Sequence, residues 1–210
     1  GILLIVLGVA HDENAVTNYR NLLKRPGNPV DDFLLLDGIG AVAINTGVNI
    51  ILATIVVLAI GGDINGPTIG GILTIAGFSV KGKHARNILP VMLGIILSGL
   101  MRGGGAVVTP AAQLALLFGT TLAPISGTYG FPAGIVAGFI HSCVVLYAGA
   151  GYSGVNLYNN GFAGGLVAIV MHSVLSEFFR PKEYSKPSDS MLPKPLHDED
   201  VNIDDLYFHE

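Results

Sequence analysis

Tryptophan is absent, cysteine occurs once, and only 12% of the 210 residues are charged. An ordinary soluble domain carries about a quarter of its residues as Asp, Glu, Lys or Arg, so the material for a hydrated surface is missing. The single cysteine, Cys143, excludes an intrachain disulfide, and its place in an apolar run reads as a buried, inert thiol. No basic face suited to nucleic acid is present, which removes that class of partner. The scarcity of charge is also local. From Gly38 to Ser176 the only charged residues are Asp63, Lys81, Lys83, Arg86 and Arg102, and from Gly103 to Ser176 there is none. A transmembrane helix needs roughly 20 apolar residues to cross roughly 30 Å of hydrocarbon, so this uncharged stretch has room for three. The net charge of −4 comes from a C-terminal tail holding Asp198, Glu199, Asp200, Asp204, Asp205 and Glu210, and it carries no message about the apolar part.

What is present is apolar and organised in runs. Residues 1–10 are apolar but too short to span, carry no basic leader, and read as the end of a truncated transmembrane helix whose missing N-terminal part belongs to the same polypeptide. Residues 11–32 are polar and read as a cytoplasmic loop with one surface helix. Residues 33–179 read as a transmembrane domain of about six segments, at 33–60, 63–79, 87–101, 105–123, 131–149 and 155–179. Residues 180–210 read as a cytoplasmic polar tail. Lysine and arginine collect on cytoplasmic loops, and three clusters qualify: Arg20, Lys24 and Arg25; Lys81, Lys83 and Arg86; Arg180, Lys182 and Lys186. Even numbers of segments separate them, which places all three on one side and leaves Arg102 as the one basic residue outside.

The 29 glycines and 11 prolines interrupt these runs at Gly61-Gly62, Gly66-Pro67, Gly103-Gly104-Gly105, Thr109-Pro110 and Phe131-Pro132. Close helix packing explains some of them. The short run at 87–101 beside Arg102 points to broken or re-entrant helices, which membranes tolerate only where backbone is buried or lines a watery cavity. The expected fold is therefore all-α: a polytopic transmembrane bundle with broken or re-entrant helices, part of an inverted-repeat, transporter-like architecture.

Polar side chains at membrane depth are the candidate site residues. Asn65 and Asn159 open a repeated pattern, Asn, four residues, Gly-Gly, and each either caps a helix or lines a solute path together with Thr68 and Asn160. Asp63 is the one acid at depth, functional or a loop cap. His141 and His172 have no second ligand at helical spacing, so no metal site is indicated; they bond a neighbouring helix or serve the path. Asn156, Asn159 and Asn160 form one amide group, and Asn45, Thr46 and Asn49 form another. His84 is expected at the interface and Val145 on the lipid-facing surface.

Three stretches carry a resemblance: Ile64 to Gly71, Lys83 to Gly94, and Asn156 to Gly165. Together they resemble an uncharacterised bacterial integral membrane family known only as a domain of unknown function, over residues 33–180. That resemblance implies a longer chain and no activity. The Asn-Gly and Asn-Asn-Gly elements are also similar to those of urea transporters, which implies a midplane pore between inverted halves without naming a solute.

A transporter or channel for a small polar solute, facilitative rather than coupled because acids are so few at depth, accounts for the amides, histidines and broken helices together. The alternatives are a structural or assembly subunit and, with less behind it, a membrane-embedded enzyme: His141-Ser142 and His172-Ser173 are adjacent pairs, and adjacent residues do not face each other on a helix. The expected partners are the solute and the lipid bilayer, with a homo-oligomer left open and no cofactor.

Overall fold

The computed structural model describes residues 1–27, 31–148 and 159–180. All the secondary structure in them is helical apart from an isolated bridge between Asp32 and Lys81. The helices are α1 (Ile2–His11), α2 (Ala15–Leu22), α3 (Phe33–Ala59), α4 (Gly66–Phe78), α5 (Ala85–Met101), α6 (Pro110–Phe118), α7 (Ala123–Tyr129), α8 (Phe131–Ala148) and α9 (Asn159–Phe178). Three of them, α3, α8 and α9, are long and apolar enough to cross a membrane. Their outer faces agree with a membrane protein: Ile55, Leu58, Val136, Ile169 and Val170 are exposed, while Asn45, Asn49 and His141 are buried. That inversion suits lipid outside and polar contacts inside.

Local sequence explains where the helices start. Asp32 Oδ1 accepts the Leu34 and Leu35 N–H groups at 3.0 and 3.2 Å, capping α3. Asn65 and Thr68 close a capping box on α4, with Pro67 in its first turn. Inside α3 the backbone breaks at Gly38, φ 83° and ψ 164°, a conformation essentially reserved for glycine. The straight part after it, residues 39–59, is about 30 Å long at 1.5 Å per residue.

The chain shuttles between two ends of the bundle. Helix α1 lies antiparallel on α3, with Gly8 against the Gly40 carbonyl and Gly47 against Ile5. Helix α3 leaves the first end and α4 returns to it, where the Phe33 N–H donates to Val80 O at 3.1 Å. Helix α5 then runs out to Arg102. The return is broken into a 3-10 turn at Gly104–Val107, α6, a second 3-10 turn at Gly119–Leu122, and α7. Gly127 of α7 comes back against the Pro26 carbonyl. Helix α8 runs out again, parallel to α5, and α9 returns, bringing His172 Nδ1 to 2.9 Å from Tyr129 Oη.

The first end therefore gathers Arg25, Lys81, Lys83 and Arg86, and α9 heads towards it at Arg180; it is called the basic end below. Here Arg25 grips Asp37 through two bonds of 2.7 and 2.9 Å, and His84 Nε2 lies 3.0 Å from Arg25 O. The clustering agrees with the even spacing read from sequence for the first two basic groups; Lys182 and Lys186 lie outside the described residues.

Two expectations change. The short segment near 87–101 is a continuous helix through Pro90, and the break falls instead between 104 and 129, where Pro110, Gly119 and Pro124 punctuate the run. His84 is buried rather than interfacial, because its ring packs 6.1 Å from Phe33 and its N–H is capped by Asn87 Oδ1.

Candidate functional site

Two cavities approach the broken segment from opposite ends. The outer one, at the Arg102 end, has a volume of about 670 Å³ and is walled by Arg102, Thr109, Ala112, Ser142, Asn159 and Asn160 among others. The Arg102 guanidinium is anchored rather than free: Nη2 donates to Ser142 Oγ at 2.8 Å and Nε to Ser98 O at 3.2 Å. The Oδ1 atoms of Asn159 and Asn160 are buried without a hydrogen-bond partner, an expensive state unless something polar visits.

The inner cavity, at the basic end, has a volume of about 370 Å³ and is lined by Gly27, Phe78, Lys81, Gly82, Lys83, Thr121 and Pro124. Lys83 is 6% exposed. Its Nζ donates to Thr120 Oγ1 at 2.9 Å and sits 4.9 Å over the Phe78 ring. Burial pushes its ammonium down to about 8. The backbone that holds it is fixed from α3: Asn45 Nδ2 donates to Ser79 O and Lys83 O, both at 2.8 Å, and Asn49 Nδ2 donates to Ser79 Oγ at 2.7 Å and Lys83 O at 3.2 Å.

Between the cavities lies a thin partition. His141, fully buried, has Asn160 as its polar neighbour on the outer side without a completed hydrogen bond to either ring nitrogen. On the inner side it packs on Gly119, where a Cβ would stand 2.8 Å from the ring Cδ2. Gly164 of α9 closes the gap: a Cβ there would lie 2.6 Å from Thr121 Cγ2 and 4.0 Å from His141 Cε1. Contact by contact, Asn160, His141, Gly119 and Gly164, Thr120 and Thr121, and Lys83 link the two cavities. The glycines matter because each leaves room that any side chain would fill.

The sequence-selected residues divide between this file and the scaffold. Asn159, Asn160 and His141 are brought together at the outer cavity and partition. Asn45 and Asn49 sit beside neither cavity and hold the Lys83 loop. Asn65 and Thr68 are spent on the cap of α4, with Thr68 Oγ1 also donating to Asp63 O at 2.8 Å, and the Asp63 side chain is exposed. His172 pairs with Tyr129 on an exposed face, and Asn156 lies outside the described residues. Val145 lines the outer cavity instead of facing lipid. The two halves of the Asn-x4-Gly-Gly pattern both start at the Arg102 end. They press different glycines on the broken segment, Gly71 against Leu117 and Gly164 against Thr121.

Residues 11–177 match the family described as Protein of unknown function (DUF1576). The chain belongs to that family. No curated protein and no solved structure matches it. The DUF1576 region thus includes the whole file from Lys83 to Asn160.

Sequence reading alone passed over Lys83, Arg102, Thr120, Thr121 and Gly164 as site residues in this DUF1576 chain. For Arg102 a signal existed: a lone cation between uncharged runs is a functional candidate by default. The threonines carry no such mark, since nothing in Gly119-Thr-Thr-Leu-Ala-Pro124 distinguishes a turn inside the bundle from a surface loop.

Proposed function

We propose that this DUF1576 chain conducts a small polar solute across the membrane by a facilitative route running through the two cavities and the His141 partition. The observation that carries this reading is the placement of two cavities, one towards each end of the bundle and each with a few polar side chains in a mainly apolar wall, against one broken segment. Interrupted helices at the meeting point of two vestibules are how many transporters expose backbone and side-chain groups to a solute at mid-membrane. In this reading the chain is multi-pass, with α3, α4, α5, the α6–α7 segment, α8 and α9 each traversing the bilayer and the basic end facing the cytoplasm. An enzymatic role has weaker support, because His141 turns into the partition while the neighbouring Ser142 accepts from Arg102, so this pair does not join a nucleophile to a base.

Reconstituted vesicles test it. Permeation of urea, methylammonium and formate measured by stopped-flow light scattering is expected to exceed the protein-free rate for at least one of them. His141→Ala and Asn160→Ala should lower that rate at near-normal folding, since each removes a polar group worth roughly 1–3 kcal/mol. Ile169→Ala, 67% exposed on the outer face, should leave it unchanged. Permeation indistinguishable from empty vesicles for all three solutes would contradict the proposal. The topology has its own test. In a background lacking Cys143, Lys81→Cys and Arg180→Cys should both be shielded from an impermeant thiol reagent in intact cells, and labelling of one alone rejects the assigned sidedness.

A further inference from the structure

We infer that the solute is a small monovalent anion, drawn in at each end by one fixed cation, Arg102 in the outer cavity and Lys83 in the inner. This rests on the pathway reading above and adds the sign of the charge to it. The argument begins with what lines the cavities. Among the described residues neither is lined by an Asp or Glu, while Arg102 lines the outer cavity and Lys81 and the buried Lys83 line the inner one. Among the described residues the one ion pair is Arg25 with Asp37, so neither Arg102 nor Lys83 has its charge cancelled by a carboxylate.

Their bonds leave donors to spare. Arg102 uses Nε on Ser98 O and Nη2 on Ser142 Oγ, which leaves the rest of its five N–H groups beside the cavity. Lys83 has one polar partner, Thr120 Oγ1, for three N–H groups. A cation desolvated this far costs free energy unless an opposite charge answers it, and lysine at 6% exposure with an open cavity beside it is answered only by something that enters. The outer cavity adds a second attraction. The first turn of α6, with Ala111 and Ala112 in the wall, brings the positive end of its dipole to the same space, with the Ala112 N–H itself capped by Thr109 Oγ1. For a cation the same features form two repulsive gates in series, and a neutral solute gains hydrogen bonds from them but no charge attraction.

The partition then separates size from charge. Thr120, Thr121, the His141 ring and the Asn160 NH₂ group offer hydrogen bonds that can replace part of an anion's hydration, while the Gly119 and Gly164 contacts limit the bore. Formate and nitrate are the natural probes: compact, singly charged and planar enough to bond a guanidinium through two oxygens.

The pH dependence has a definite sign. With its ordinary value lowered to about 8 by burial, the Lys83 ammonium is charged below that pH and neutral above it, so anion flux should fall as pH rises through 8. The ionisable groups on the elements packed around it are Lys81 and His84 on the same loop, Arg86 in the first turn of α5, Asp32 bridged through its backbone to Lys81, Arg25 and Asp37 bonded to each other, and Asp31, which accepts the Gly27 N–H at 2.7 Å.

The experiment compares formate, nitrate, urea and methylammonium flux through the reconstituted full chain under a potassium–valinomycin potential. Formate and nitrate flux is expected to respond to the potential, with urea and methylammonium at the protein-free rate. Lys83→Gln and Arg102→Gln should each cut anion flux by about tenfold or more, the scale of electrostatic focusing by a lined cleft, and Arg102→Lys should retain part of it. If the Gln variants misfold, the wild-type ranking of the four solutes still decides. Urea or methylammonium flux without anion flux overturns the anion assignment and leaves the pathway standing; absence of flux for all four overturns the pathway itself; anion flux unchanged in both folded Gln variants overturns the roles of Lys83 and Arg102.

Discussion

Gly164→Val should bring solute flux down to the level of protein-free vesicles while the protein remains folded and monodisperse in detergent. The reason is local. A Cβ at Gly164 would already lie 2.6 Å from Thr121 Cγ2, and the two further methyl groups of valine would occupy the gap between Thr121 and His141. The obstruction meets the end of a short side chain, not backbone, so the bundle can yield by a few tenths of an ångström without unfolding. Thr121→Ser takes away the methyl that collides. Paired with the milder Gly164→Ala, it should return part of the flux that Gly164→Ala loses. That non-additivity is the mark of two residues sharing one contact. Independent, additive losses in the double variant would mean that Gly164 and Thr121 do not form the partition.

The second large effect lies in the seam between α5 and α8, and it concerns stability rather than flux. Pro90, Gly94 and Ser98 on α5 and Gly134 and Gly138 on α8 recur at four-residue spacing, with Pro90 against Gly134 and Ser98 Oγ 3.6 Å from Cys143 Sγ, small residues that let two backbones approach as membrane helices do. A Cβ on Gly94 would run into the Ile135 carbonyl, and one on Gly138 into the Val91 carbonyl. Carbonyls inside a helix cannot swing away. Overpacking a core costs typically about 1–3 kcal/mol and occasionally more, and here relief requires the helices to separate. Gly138→Leu is expected to lower the thermal midpoint sharply or to leave only aggregated protein. Gly165→Ala, where a Cβ would meet nothing within 4 Å, should be silent in the same melting assay. Equal melting of Gly138→Leu and wild type would show that the seam is not the tight contact described.

The helices were legible in the sequence to differing degrees, for physical reasons. Uncharged runs marked α3, α8 and α9 because lipid admits little else, and Asn65 with Thr68 and Pro67 announced the start of α4 through its capping chemistry. The position of the break was less legible. The short run at 87–101 looked like the broken one, yet α5 carries Pro90 without interruption while the run beyond Arg102 breaks twice. The faces of α8 were not legible, because it is apolar nearly all round; Val145 therefore looked like a lipid-facing residue when it lines the outer cavity. Asn45 and Asn49 illustrate a different difficulty. Amides at membrane depth must bond to something, and the sequence does not say whether the partner is a solute or, as found, the Ser79 and Lys83 carbonyls and the Ser79 hydroxyl. His141 and Asn160 were both visible as polar residues, but their meeting depends on how α8 and α9 pack.

The measurement that bears most directly on two cavities forming one path is sided thiol accessibility. Ala112→Cys lies in the outer cavity and Thr121→Cys in the inner, each placed singly in a chain with Cys143 replaced by Ser and reconstituted in vesicles of defined orientation. An impermeant, water-borne thiol reagent is expected to modify Ala112→Cys only from the Arg102 side and Thr121→Cys only from the basic side. Modification of both from one side, or of neither from either side, would contradict a solute path through the His141 partition.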